Sequence, residues 1–560
     1  MAAYTSSQDG DWSVSATWGG AGVPGSGDTA TISHAVTVSD AQTCGAVTLN
    51  KTLNISGVFT LGGNVGCAAS GWRIDIQAGG TLDLFGYTIT PTAAGEYRAS
   101  GTPLARATVT SGAAQGSFAA PGANAVTLSA TYCDFDNIGG TLGRTHTSAI
   151  VQTVTYCTFE NCGRVDVDAT GVNVGCGFIF EYNRITDWAS ATPVASSSLI
   201  PNIYQTTAAG VATRRARFNV WDNSMNANVG AFEVRALGAD VSENVAIEAK
   251  LSAPAPHSPT INRNFWSMEN DQDVVKIGAV FSSFCGNYVH FPQGGHIMTP
   301  ANNVDVNISG NIFDATDGGE GINAVLFTAQ ASNVKISNNI LFGKGNLLAY
   351  TNNPNSGSMQ FRKNTTAVDH AGVLGNGQYF APWLIAEQTA TNITPAAAEY
   401  WDNFHFDTDD SNSFDAAIDL LGTTADQIDL VNYNGAWGTP NGNPSPPLNY
   451  VNVTITGGVG ANDAAVDPQF FDRSRDLAGW DATLGGPGTT SNAISELKKL
   501  NQSDFNDDYR VSKLFDYVAS GYQPQNASMA LGRYGGTVGA CSIAKSVNVP
   551  LASWFSGRLP

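Results

Sequence analysis

The chain is predicted to fold as an all-β, right-handed parallel β-helix, a solenoid with coils of about 20 to 28 residues. Three observations carry this prediction. An asparagine recurs at a nearly constant interval, an apolar or aromatic residue stands three positions before it each time, and the stretches between are short, β-rich and broken by Gly and Asn.

The repeat is clearest in nine segments that begin and end at Phe180/Asn183, Val220/Asn223, Val241/Asn244, Ile261/Asn264, Phe284/Asn287, Ile308/Asn311, Ile336/Asn339, Phe361/Asn364 and Tyr400/Asn403. Intervals of 40, 21, 20, 23, 24, 28, 25 and 39 separate the asparagines, and Leu199-Ile-Pro-Asn202 supplies a further coil inside the first. Helical solenoids need longer repeats with a 3.6-residue period, which these segments lack. In a parallel β-helix successive coils pair at about 4.8 Å, so identical side chains stack, and stacked amides can bond up and down a row. An αL turn at each asparagine is compatible with the same row.

Two earlier coils carry Cys where later ones carry Asn. Thr131-Tyr-Cys133-Asp-Phe135 and Thr155-Tyr-Cys157-Thr-Phe159 align with Asn183-Arg-Ile185 and make Cys133 and Cys157 vertical neighbours. A Cα separation of about 5 Å permits a disulfide. Manufacture in the cytosol favours two free thiols.

The remaining sequence divides into an N-terminal β cap with the first narrow coils (1–105), the β-helix proper (106–405, with the clear coils from about 125) and a C-terminal region of loops and short helices (406–560). Trp12 and Trp18 are expected to plug the open first edge of the core. After Asn403 the repeat fades, and Trp437-Gly-Thr-Pro-Asn-Gly-Asn-Pro-Ser-Pro-Pro447 reads as a boundary loop. Helices are expected from Ser491 and over about Val511 to Val518.

The balance of 27 Lys plus Arg against 47 Asp plus Glu, a formal charge of −20, argues against nucleic acid as a partner. The opening residues contain no signal peptide and no stretch reaches 18 apolar residues, so the expectation is a protein made in the cytoplasm without membrane insertion. Eight cysteines without a CxxC pair predict no metal site and no cofactor, and His290-Phe-Pro-Gln-Gly-Gly-His296 reads as a loop. The acidic runs Asp407-Thr-Asp-Asp410 and Asp504 to Asp508 lack the spacing of a calcium loop.

Chemistry has one candidate location. The residue before each ladder asparagine is expected to face outward by strand alternation, which would set Asp222 and Glu243 one coil apart beside Arg263. Two carboxyl groups about 5 Å apart are the arrangement of a retaining glycosidase. The competing account is a solvated surface on which Arg263 offsets two acids.

The C-terminal motifs carry a resemblance. Asp467-Pro-Gln-Phe470, the run Arg475-Asp-Leu-Ala-Gly-Trp480-Asp-Ala, and Gly536-Thr-Val-Gly-Ala540 after Gly521-Tyr-Gln-Pro524 resemble the closing "DPxF" and "DIGA"-like segments of the pectate-lyase-like β-helix superfamily. Thr537-Val538 replaces the Asp-Ile of that pattern. Within the superfamily the arrangement is most similar to β-helical structural and tailspike-type proteins of bacteriophage virions. That resemblance implies a decoration, fibre or spike-type virion component for rigid display or host-surface contact. It also implies other virion proteins as partners, a host polysaccharide as candidate ligand and a homotrimer. The alternatives are a polysaccharide-degrading enzyme, either glycoside hydrolase or lyase, and a bacterial surface adhesin.

Overall fold

A computed structural model describes residues 1–112 and 114–144, the strands and corners of the coils between 151 and 465, and residues 469–499 and 510–525. It is a right-handed parallel β-helix, with few helices. Each coil contributes one strand to each of three faces. Ala3–Thr5, Thr29–Ile32 and Val47–Leu49 begin the first face, Gly10–Asp11, Val36–Val38 and Thr52–Ile55 the second, and Ala41–Cys44, Val58–Leu61 and Thr81–Asp83 the third. Parallel pairing is therefore already present at Ala3–Thr5. The chain divides into two compact units, residues 1–241 with 500–507 and residues 242–499 with 508–560.

In the first unit the strands alternate as the pleat requires. Cys133, Phe135, Phe159 and Ile185 point into the lumen and are buried, while Asp134, Asp136 and Thr158 between them are partly exposed. The first edge is closed by aromatic packing. Trp12 and Trp18 are 0 % and 2 % exposed, their rings lie 4.9 Å apart edge to face, and Trp12 meets Phe59 at 4.9 Å. Both indole N–H groups are satisfied, by Pro24 O at 3.3 Å and Trp12 O at 2.8 Å. The two tryptophans plug the core, as their position at the open edge leads one to expect.

The asparagine ladder exists and has a definite bonding scheme. In the second unit the backbone N–H of Asn264 donates to the Asn287 side-chain oxygen at 2.9 Å, Asn287 to Asn311 at 2.9 Å, Asn311 to Asn339 at 3.0 Å and Asn339 to Asn364 at 3.1 Å. The side-chain amides of Asn287, Asn311, Asn339 and Asn364 reach back to carbonyls of the preceding coil, as Asn311 does to Phe284 O at 2.9 Å. Each amide thus pins a corner where the backbone ladder is interrupted.

Two features depart from the sequence reading. Parallel pairing and the ladder continue beyond Asn403. Asn403 donates to Asn434 at 3.0 Å, Asn434 donates to Asp463 at 2.9 Å, and strands Gly435–Gly438 and Ala464–Ala465 extend the third face. In the first unit the ladder residue after Asn183 is Asn219. Its side-chain oxygen receives both amides of Asn183 at 3.0 Å, and its own amide donates to Phe180 O at 2.9 Å. Asn223 lies outside the described residues.

The expected helices are present as α2 (Thr490–Lys498) and α3 (Arg510–Gly521), with a further helix, α1 (Leu477–Thr483), before them. Asp476 caps α1 through Gly479 N at 2.7 Å, and Thr489 caps α2 through Asn492 N at 3.2 Å. These helices belong to the second unit, where the third face loses its alternation. Val245–Ile247, Phe265–Ser267, Tyr288–His290 and Ile312–Ala315 are buried on both sides. The covering side chains include Tyr522, stacked on Phe342 at 5.2 Å, and Phe470, edge-on to Phe404 at 5.9 Å. The C-terminal segment therefore seals an apolar outer flank of its own coils.

Candidate functional site

Asp222, Glu243 and Arg263 do not occupy equivalent positions. Because Asn219 holds the ladder, the residue before it is Phe218, and Asp222 instead ends the third-face strand Val220–Asp222, in register with Thr186. Asp222 belongs to the first compact unit, Glu243 and Arg263 to the second. Glu243 is also not outward-facing. It is 4 % exposed and sits at a corner with φ 58°, and its carboxylate meets the Arg263 Nε at 2.7 Å. Strand alternation fails at this position because the residue is an αL corner, not a strand residue.

The same corner conformation runs along both units. Tyr132, Tyr156, Tyr182 and Phe218 have φ between 49° and 59°, as do Glu243, Arg263, Asn338, Lys363 and Asp402, while Gly286 and Gly310 have 66° and 65°. A bulky residue in αL costs about 1–2 kcal/mol. In the first unit, stacking offsets that cost. Tyr132 and Tyr156 lie 4.7 Å apart, Tyr156 and Tyr182 4.8 Å, Tyr182 and Phe218 4.8 Å, all within 14° of parallel.

This column looks like a sugar-binding platform, but its geometry argues otherwise. Every internal ring face is occupied by the next ring, and the spacing leaves no room for a sugar between them. The terminal rings carry guanidinium groups, Arg106 6.0 Å from the Tyr132 centroid and Arg217 4.9 Å from that of Phe218.

Beside the column, on the second face of the first unit, lies a charged cluster. Glu181 is in register with Arg217, and Ile179 with Arg215, which brings both arginines to one carboxylate. Glu181 Oε1 is 3.1 Å from Arg215 Nε and 3.6 Å from Arg217 Nε, and Arg217 Nη1 is 3.5 Å from Asp240 Oδ2. Burial pushes the Glu181 carboxyl above its ordinary range, against the pull of the two guanidinium groups, and Asp240 adds to the rise. The sequence signal was present in Arg214-Arg-Ala-Arg217, whose alternation sets Arg215 and Arg217 on one side of a strand.

A third set of polar residues lies beneath the C-terminal cover. Ser267, His290 and Asp314 stack in register on successive coils, and each is 2 % exposed. Ser267 Oγ bonds His290 Nδ1 at 3.1 Å, while Asp314 accepts from Tyr288 Oη at 2.6 Å and from Thr316 N at 3.1 Å. His290 thus ends a strand, where the sequence suggested a loop, and the second histidine of that pair begins the strand His296–Thr299. The arrangement satisfies polar groups in a sealed layer; it offers no solvent-reachable nucleophile.

Among the described residues no group of three or more His, Cys, Asp or Glu could hold a metal ion, and no helix is long and apolar enough to cross a membrane. Asp409 and Asp410, the run from Asp504 to Asp508 and the motif Gly536 to Ala540 lie outside the described residues. No protein-family model, curated protein or solved structure matches the chain.

Proposed function

We propose that this chain is a structural component of a bacteriophage virion, of decoration, fibre or spike type, whose β-helix gives rigid display and contact with a host-surface glycan. The observation that carries the reading is the ladder from Asn244 to Asp463. Its buried polar groups are spent on holding coil to coil, which favours a scaffold over a reaction centre. The resemblance of the C-terminal motifs to virion β-helix proteins supports the same reading, as does a charge of −20 that disfavours nucleic acid. A homotrimer is the assembly we infer, made with other virion proteins as partners. Quantitative mass spectrometry of density-purified particles from the producing culture is expected to find the chain at a fixed copy number. Recovery only in the particle-free fraction would overturn the proposal.

A polysaccharide-degrading activity is the second reading. The Glu181 carboxyl favours it, because a raised acid between two arginines with Asp240 nearby suits proton transfer. Depolymerisation of a host polysaccharide that disappears in Glu181→Gln and Asp240→Asn would support this reading over the first. Absence of depolymerisation by the unaltered chain would remove it, and depolymerisation that both variants retain would take the chemistry away from Glu181 and Asp240.

A further inference from the structure

We infer that the lumen of the first unit holds a site for one small uncharged guest, an apolar molecule with a single hydrogen-bond acceptor, and that the Tyr97 hydroxyl is the donor that receives it. The inference is independent of what the outer surface contacts.

Its starting point is a void in an otherwise filled core. Ile74, Tyr97 and Leu128 stack in register on the second face, as Val109 and Phe135 do on the third. With Phe118 from the first face they wall a cavity of about 20 Å³. Close-packed interiors hold few voids larger than a water molecule. The cause is local. Ala99, the next inward residue after Tyr97, is too short to fill the space, and Gly140, in register with Phe118, supplies no side chain. None can be added there, because a Cβ on Gly140 would run into the Phe118 carbonyl oxygen.

Tyr97 brings an unmet donor to this wall. It is 5 % exposed, and its Oη has no hydrogen-bond partner among the described residues, a costly condition for a buried hydroxyl. Trp72 and Phe118 hold the ring edge to face, each at 5.0 Å, so the hydroxyl cannot swing away to find an acceptor. Burial keeps the phenol well above the ordinary tyrosine range, and it stays a neutral O–H donor.

The walls decide what fits. One water needs about 10–15 Å³ and about two to four polar partners. The cavity meets the first condition and not the second, because its lining is apolar apart from Tyr97 and Arg98, and Arg98 spends its Nε on Ser100 at 3.1 Å. A charged guest would lose its hydration without compensation. An apolar guest suits a dry void, and one acceptor on it completes the Tyr97 hydroxyl.

The test uses the full chain and two small probes, xenon, which is purely apolar, and acetonitrile, which carries one acceptor. A shifted, saturable xenon NMR resonance is expected from the unaltered chain and is expected to vanish in Ala99→Ile, which fills the void. Should Ala99→Ile fail to fold, Ala99→Val is expected to weaken the same signal. Tyr97→Phe is expected to keep the xenon resonance and to melt no lower than the unaltered chain, since it removes an unmet donor. By saturation-transfer NMR it is expected to bind acetonitrile about 10-fold more weakly, the loss of one net hydrogen bond. Absence of the xenon resonance from the unaltered chain would show that water fills the void, and a lower melting temperature for Tyr97→Phe would show that the hydroxyl already has a partner. Either result, or acetonitrile binding that Tyr97→Phe retains in full, would overturn the inference, while the virion proposal is still judged by copy number on particles.

Discussion

The backbone N–H and the side-chain amide of Asn183 both donate to one atom, the side-chain oxygen of Asn219, at 3.0 Å each. One oxygen thus ties a whole coil to the next. The relation is repeated between Asn311 and Asn339, where the two distances are 3.0 and 2.9 Å. Replacing Asn311 by Ala leaves the N–H of Asn287 and the carbonyl of Phe284 buried without their partners. A loss of about 2–5 kcal/mol is expected, measured as a lower urea midpoint by tryptophan fluorescence; an unchanged midpoint would count against the ladder.

The corner at Tyr156 separates two effects. Tyr156 has φ 56° and stacks at 4.7 and 4.8 Å on its neighbours. Ala removes the stacking and keeps the αL cost, while Gly removes both. Tyr156→Ala is therefore expected to destabilise more than Tyr156→Gly, by about 1 kcal/mol, in parallel thermal melts. The reverse order would mean that the corner conformation is not the one described.

Buried thiols give a chemical prediction. Burial pushes Cys44, Cys67, Cys157 and Cys162 up to about 12, and pushes Cys133 well above the ordinary thiol range. These thiols are expected to resist iodoacetamide at pH 8 in the folded protein, since the thiolate is the nucleophile. In denaturant without reductant all eight cysteines of the sequence are expected to titrate; fewer would reveal a disulfide.

The C-terminal helices carry an acid-sensitive latch. Asp481 is 0 % exposed. Burial alone would raise it, but the Asn492 side-chain amide at 2.9 Å and the backbone N–H groups of Thr489 and Gly488 at 3.2 and 2.8 Å hold its carboxyl below the ordinary range. A depressed folded value means that the stabilisation is complete above the ordinary carboxylate value and is lost as pH falls through the folded one. Limited proteolysis between residues 477 and 498 is expected to accelerate only below about pH 4, and Asp481→Asn is expected to show the faster cleavage already at neutral pH.

Tyr522 is the contact that seals the outer flank, against Phe342 at 5.2 Å and Phe470 at 5.6 Å. Tyr522→Ala is expected to cost about 3 kcal/mol and to expose apolar surface to a hydrophobic dye. A variant without added dye binding would show that the flank is sealed by other residues.

How much of this was legible follows from which residues the pattern could weigh. The ladder was legible because Asn recurs where only an amide can bond in both directions, and Cys133 and Cys157 fell into place with it. The register slipped at Asn219 because its inward partner is Ala216, too small to count as an apolar anchor, while Val220 and Asn223 mimic the same spacing four residues on. Asn434 was missed although Val431 precedes it correctly, and Asp463 ends the row with a residue the pattern does not seek. Most αL corners were hidden behind Tyr, Phe, Glu, Arg and Lys, none of them a turn former, and Gly286, Gly310, Asn338 and Asp402 hinted at them. For the Glu181 cluster, Arg214-Arg-Ala-Arg217 sets two arginines on one side of a strand, but their meeting with Glu181 comes from register between coils, which no local motif reports.

The ladder underlies both the fold and the proposed role, and amide hydrogen exchange read by mass spectrometry tests it most directly. The corner amides of Asn264, Asn287, Asn311 and Asn339, each bonded to the next coil at 2.9–3.1 Å, are expected to exchange among the slowest in the chain, and together, as one cooperative stack. Exchange at those corners as fast as in peptides from the connecting loops would contradict the account.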